Sequence, residues 1–175
     1  MPFSDQSNQP WLIEELQKLD LTSMLDVGPG AGTYGHMFSA HFPLSTRTAV
    51  EVWKTYIYNY DLFNVYQTIH LSDVRRHNDF NYDIVIFGDI LEHMTKEDAL
   101  KVWDKVSKQA KYAVISIPIV HYPQDAYEGN PYEIHVKDDW THEEVLDTFT
   151  GIVKHKTSQI VGTYIADFQT GFNGD

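Results

Sequence analysis

Residues Met24 to Gly35, Met-Leu-Asp-Val-Gly-Pro-Gly-Ala-Gly-Thr-Tyr-Gly, constrain this chain more than any other stretch. A short apolar run ends on a carboxylate and is followed by glycine at every second position. That pattern describes a buried strand breaking into a tight turn and then opening a helix. Glycine at positions 28, 30 and 32 allows a turn that needs positive φ and lets backbone N–H groups approach a ligand closely. The unit is therefore a ligand cradle of the kind that starts an α/β sheet. The dinucleotide fingerprint Gly-x-Gly-x-x-Gly would put a third glycine at position 33, where this chain has Thr33. The spacing that fits is acid-x-Gly-x-Gly-x-Gly, filled by Asp26, Gly28, Gly30 and Gly32.

Other elements follow by pattern. Leu12, Leu16 and Leu19 recur at helical spacing over 10–19, with Pro10 suited to a first turn. Strand one covers 23–27, and the helix after the turn covers 33–41, stopped before Pro43. A β-like run at 46–52 leads into an aromatic segment, 53–66, read as a helix and connection. Residues 67–71 make a brief third strand, and 82–88 a nearly continuous apolar fourth, as expected for a strand covered on both faces. Ala99, Val102, Trp103 and Val106 share one face of a helix over 96–109. The run 112–117 is a fifth strand closed by Pro118; Thr141-His142-Glu143-Glu144 is a capping box opening a helix through Phe149, and Gly151 ends it. Strands at 152–157 and 160–168, joined tightly around Ser158, form an antiparallel pair. The predicted fold is α/β: a doubly wound, mostly parallel seven-stranded sheet with helices on both faces and a C-terminal antiparallel hairpin, a three-layer αβα arrangement. One domain over 1–175 is expected, with 1–9 and 170–175 as loose termini. The stretch 119–139 has little regular pattern, a length that in a compact domain is functional or mobile.

A formal net charge of -12 argues against nucleic acid as the partner, since such binders carry a basic face. Arg75-Arg76-His77 and Lys154-His155-Lys156 are short basic runs and read as solvated surface. There is no cysteine, which removes disulfides, thiolate nucleophiles and Cys-ligated zinc. Neither a leader nor an apolar run long enough for a membrane span is visible, so a soluble cytoplasmic protein without a membrane partner is expected. Nine histidines are present, yet none falls in a His-x-x-x-His pair on a clear helix with a third ligand, and no metal site is expected.

With Asp26, Gly28, Gly30 and Gly32 on the end of the first strand, the chain resembles the class I S-adenosylmethionine-dependent methyltransferases, small single-domain enzymes with a Rossmann-like fold. The likeness extends from Met24 to about Phe168 and includes the C-terminal hairpin. It directs attention to acids at strand ends: Asp26, Glu51, Asp73 and Asp89. The cofactor implied is S-adenosylmethionine, with S-adenosylhomocysteine as product. By resemblance, Glu51 takes the ribose hydroxyls, Asp73 the adenine amine with the Val74 N–H nearby, and Asp26 with the Gly28-Pro29-Gly30 backbone and Gly32 the methionine end, flanked by Asp89. Two departures stand out. Strand two continues Glu-Val-Trp-Lys instead of an acid followed by small polar residues, and 73–82 is too short for a full helix.

The implied reaction is an in-line displacement of the methyl group onto a small or medium-sized acceptor, in which positioning and desolvation supply much of the catalysis. A base is needed only where the acceptor carries a proton at the moment of attack. Candidates for the reaction centre are His93, in Leu91-Glu92-His93 after strand four, and His121 after strand five. Tyr122, Tyr127, Tyr132 and His135 are candidates for an amphipathic lid over the acceptor, which could be a small molecule, a sugar or a peptide. A non-catalytic S-adenosylmethionine-binding module that regulates a partner is the alternative.

Overall fold

The computed structural model describes residues 2–43 and 45–169. Its strands are β1 (Ser23–Val27), β2 (Thr46–Glu51), β3 (Thr68–Leu71), β4 (Ile84–Gly88), β5 (Tyr112–Pro118), β6 (Ile152–Thr157) and β7 (Val161–Asp167). The helices are α1 (Gln9–Leu16), α2 (Thr33–His41), α3 (Lys54–Asn59), α4 (Lys96–Ser107) and α5 (His142–Thr148). All seven strands join one sheet in the order β3-β2-β1-β4-β5-β7-β6. β3, β2, β1, β4 and β5 run parallel, whereas β7 pairs antiparallel with both β5 and β6. The hairpin strand nearer the sheet is thus the last one in the chain, and β6 forms the outer edge.

Side-chain alternation divides the core into two layers. Met24, Ile84, Ile86 and Val114 point to one face, where they meet Leu12 and Leu16 of α1, Phe38 of α2 and Ile57 of α3. Leu25, Val85, Phe87 and Ile115 point to the other, against Val102 and Trp103 of α4 and Val145 of α5. Strands buried on both faces need this continuous apolar composition, and β4 is buried at all five positions. Helix starts are set locally. The Thr95 hydroxyl accepts the Asp98 N–H at 3.2 Å to cap α4, and the Thr141 hydroxyl accepts the Glu144 N–H at 3.1 Å to cap α5.

The edges differ from the centre. β6 is exposed from Val153 through Thr157, and it carries Lys154, His155 and Lys156 along the free side of the sheet. Lys154 is ion-paired to Glu15 of α1.

The expectation of a loose N-terminus is corrected over the described part of it. Pro2 and Asn8 are buried, and the Asn8 amide donates to the Lys156 and Val161 carbonyls and to the Thr163 hydroxyl at 3.2–3.3 Å. A polar side chain with three partners across the sheet is anchored, whatever its distance from the core in sequence. The other terminus expected to be loose, 170–175, lies outside the described residues.

The segment 119–139 is also more ordered than its composition implies. Glu128 and Gly129 both have positive φ, 48° and 78°, which closes a tight turn bridged by Tyr127 and Asn130. Farther along, the Val136 and Lys137 N–H groups both donate to the Glu92 carbonyl, at 2.9 and 3.0 Å. These bonds seat the segment on the residues that follow β4.

Candidate active site

β1 has β2 on one side and β4 on the other, so the sheet order reverses at the carboxyl end of β1 and opens a crevice there. The glycine turn forms its floor. Gly28 and Gly30 have φ of 62° and 52°. A Cβ on Gly28 would lie 2.1 Å from Ile90 Cδ1, and one on Gly30 2.4 Å from the Pro2 carbonyl oxygen. Both positions need glycine for conformation and for space.

Residues 2–5 cross this turn. The Ala31 N–H donates to the Pro2 carbonyl at 2.7 Å, the Ser4 hydroxyl to the Gly88 carbonyl at 3.3 Å, and the Asp5 N–H to Asp89 Oδ2 at 3.2 Å. The segment thereby becomes a strap over one end of the crevice. No hydrophobic period marks it in the sequence, and its contacts join it to groups far along the chain, the Ala31 N–H, the Gly88 carbonyl and the Asp89 carboxylate.

The strand-end acids occupy different places. Glu51 is 3% exposed and faces the crevice beside Gly28, Pro29 and Gly30. Its Oε1 accepts the Trp53 N–H at 2.7 Å. Burial pushes its pKa up to about 7, against hydrogen bonds from the Trp53 and Gly30 N–H groups that favour the carboxylate. Such an acid is short of counter-charge and suits neutral hydroxyl donors. Asp26 lies under the turn, not in the crevice wall. Its Oδ2 accepts from the Tyr66 hydroxyl at 2.5 Å, and burial pushes it up to about 7 despite that bond. Gly32 is likewise structural, standing at the start of α2 with φ of 80°.

Asp73 and Val74 line the apolar end of the crevice together with Val50, Val52, Ile90 and Met94. Asp73 is not free there: the Arg75 guanidinium grips it with Nε at 3.0 Å and Nη2 at 2.5 Å, and holds its pKa below the ordinary value. The flat, apolar walls around Val74 are the stronger feature of that end.

Asp89 sits at the end of β4 with φ of 55°, a strained conformation for a residue with a side chain. It lines both the crevice and an adjoining cavity of about 270 Å³. Burial raises its pKa to about 7, with the Asp5 N–H and the Ser4 and Ser116 hydroxyls acting in the opposite direction. His93 also faces both spaces, and burial, then the nearby His135, lowers it to about 4. The ring is neutral at physiological pH.

The cavity brings together residues that were separate in the sequence. Tyr122, His135 and Gln124 of the long segment meet Asp89, Glu92 and His93 from the end of β4. Tyr132 lines the crevice and packs on Trp53 with ring centroids 6.3 Å apart. Two expected members are elsewhere. His121 is 71% exposed, 3.7 Å from Asp138, and lines neither space; Tyr127 closes the turn with Asn130.

The structure also assembles a set of possible metal ligands that the sequence did not suggest. Glu92, His93 and His135 bring three ligand atoms within 4.8 Å of one another. Spacing along the chain could not reveal this set, because His135 is brought to the other two by long-range bonds, among them those from Val136 and Lys137 to Glu92.

No protein-family model matches the sequence, and no curated protein matches it. Solved structures do match it by fold. An S-adenosylmethionine-dependent methyltransferase of Clostridium acetobutylicum aligns over 90% of this chain and 89% of its own, at 13% identity and a TM-score of 0.70. The N-methyltransferase NodS of Bradyrhizobium japonicum, solved with S-adenosyl-L-homocysteine, aligns over 93% of this chain and 85% of its own, at 12% identity and a TM-score of 0.66. A Nostoc punctiforme protein described as an O-methyltransferase aligns at 16% identity and a TM-score of 0.65. This chain covers 91% of itself but spans only 56% of that protein's length.

Proposed function

We propose that this chain, whose fold is that of the class I S-adenosylmethionine-dependent methyltransferases, transfers a methyl group from S-adenosylmethionine to a small or medium-sized acceptor. One observation carries the reading: Asp89 and His93 line both the glycine-floored crevice and the neighbouring cavity, so a ligand in one space meets a ligand in the other. The crevice fits the donor. Its backbone floor admits no Cβ at Gly28 or Gly30, its buried Glu51 suits ribose hydroxyls, and the Val52, Val74 and Met94 walls suit an adenine ring. A donor held there would supply a methyl carbon on a cationic sulfur, open to displacement by an acceptor's lone pair with the C–S bonding pair leaving on sulfur.

The protein's own part is positioning and water exclusion. The strap of residues 2–5 and the segment carrying Tyr132 wall the crevice from two sides. Asp89 and Glu51, both short of positive partners, favour a cationic and hydroxyl-rich donor electrostatically. His93 faces the acceptor side in its neutral form. His121, exposed and outside the cavity, has no part in the chemistry. Asp26 supports the turn through Tyr66, and Asp73 through Arg75 shapes the adenine end.

Isothermal calorimetry with S-adenosylhomocysteine tests the donor site. The expected result is saturable binding that weakens at least about tenfold in Glu51→Ala, roughly 1.4 kcal/mol. Unchanged affinity in that variant would remove Glu51 from the site, and an absence of binding to the parent protein would remove the function.

A further inference from the structure

We propose that Glu92, His93 and His135 form a site for a divalent first-row transition-metal ion, with coordination positions left open toward the cavity for an oxygen atom of the acceptor. The role of the acceptor oxygen rests on the methyl-transfer reading; the ion site itself does not.

Glu92 is the first support. It is 1% exposed, and among the described residues neither of its carboxylate oxygens has a hydrogen-bond partner. Burying a carboxylate without partners costs several kcal/mol unless something compensates it. Among the described residues no Lys or Arg side chain lines the cavity it faces. A cation bound between the side chains would compensate that burial.

The histidines are the second support, and they are independent of the first. The His93 Nδ1 is 3.2 Å from the Ile134 carbonyl, and the His135 Nδ1 is 2.5 Å from the Tyr122 carbonyl. A carbonyl only accepts, so each Nδ1 carries the proton and each Nε2 keeps its lone pair. Fixing one ring nitrogen on a backbone carbonyl is how proteins orient a histidine that ligates metal through the other. The two rings lie edge to face with centroids 4.8 Å apart. Their backbones are tied together, since the Val136 and Lys137 N–H groups next to His135 donate to the Glu92 carbonyl.

One ring nitrogen of each histidine and one Glu92 carboxylate oxygen lie within 4.8 Å of one another. Side-chain rotations would bring the ligand atoms to the roughly 2.0–2.2 Å bonds that such ions make. Two imidazoles and one carboxylate favour zinc, iron, cobalt or nickel over calcium or magnesium, which prefer oxygen-only shells. Three protein ligands leave at least one position unfilled. The adjoining cavity of about 270 Å³ is the space from which a ligand would fill it. An acceptor hydroxyl bound there would lose its proton more readily, since the ion stabilises the oxyanion.

Chelator-treated protein is titrated with Zn²⁺ and with Co²⁺, by calorimetry and by visible absorption. One ion per chain is expected, with affinity lowered about 10- to 100-fold in Glu92→Gln and in His135→Ala. His155→Ala is the control, because His155 and His142 form a second close histidine pair, 4.7 Å between centroids. Acetohydroxamate, an oxygen chelator, should shift the Co²⁺ bands. Absence of binding to the parent protein overturns the site, as does binding retained in both variants or lost in His155→Ala. Unshifted bands overturn the open positions. Glu92→Gln preserves side-chain shape, and metal-free melting curves show whether each variant is folded. A protein that binds the ion but not S-adenosylhomocysteine keeps this site and loses the methyl-transfer reading.

Discussion

Asp83 works at the end of the sheet opposite the cleft. Its Oδ2 accepts the Thr22 N–H and hydroxyl at 2.7 and 2.8 Å and the Ser23 N–H at 3.2 Å, and Lys111 lies 2.6 Å from its other oxygen. One side chain therefore links the starts of β1, β4 and β5. Burial alone would raise its pKa, but the Lys111 ammonium and the Thr22 donors outweigh burial and hold it down to about 2. A depressed acid stabilises the fold while it is ionised in both states, above its unfolded value near 3.8, and that contribution fades as pH falls toward about 2. Asp83→Asn should therefore cost about 2 kcal/mol at neutral pH. In urea unfolding the gap between variant and parent should narrow as pH drops from about 5 toward about 3; a gap independent of pH would contradict the assignment. Binding of S-adenosylhomocysteine should be unchanged, because this staple is remote from the crevice.

Among the elements, α4 shows what local chemistry settles. Thr95 caps it, Glu97 and Asp98 occupy its first turn and Lys105 its last, all in accord with the helix dipole. Thr95→Ala should cost about 1 kcal/mol, seen as a fall of roughly 2–4 °C in the melting midpoint. A shift below half a degree would mean the cap contributes nothing. The same local logic made α2, α4, α5 and the central strands legible in the sequence, because continuous apolar runs and Thr caps act over a few residues. The strand-end acids were legible as positions but not as roles. Glu51 faces the crevice as expected, whereas Asp26 is turned to Tyr66 and Asp73 is held by Arg75, and neither partner is signalled by a motif. His135 and the strap of residues 2–5 were illegible for a related reason. Their places are set largely by backbone groups, the Glu92 carbonyl for the segment carrying His135 and the Ala31 N–H for the strap, which carry no residue-type signature, and by the Asp89 carboxylate, whose partner is a backbone N–H.

At the scale of the whole molecule, the parallel core is sealed on both faces and the candidate site is confined to the carboxyl ends of its strands. Among the described residues no helix is long and apolar enough to cross a membrane. The sheet ends in two edge strands, β3 and β6, and beside the second lie Val153 and, in the turn to β7, Ile160, which are 57% and 45% exposed. An open edge of that kind invites another chain to add a strand. In a molecule of net charge -12, Lys156 puts a positive charge on this edge, whereas the Lys154 charge is met by Glu15. Two copies meeting edge to edge would bring Lys156 against Lys156. The variant Lys156→Thr keeps strand propensity while removing that repulsion. It should scatter more light as concentration rises, with an unchanged far-UV spectrum in dilute solution; equal scattering would show that Lys156 does not guard the edge. One charge on β6 thus sets how concentrated this protein can become before its own sheets begin to extend one another.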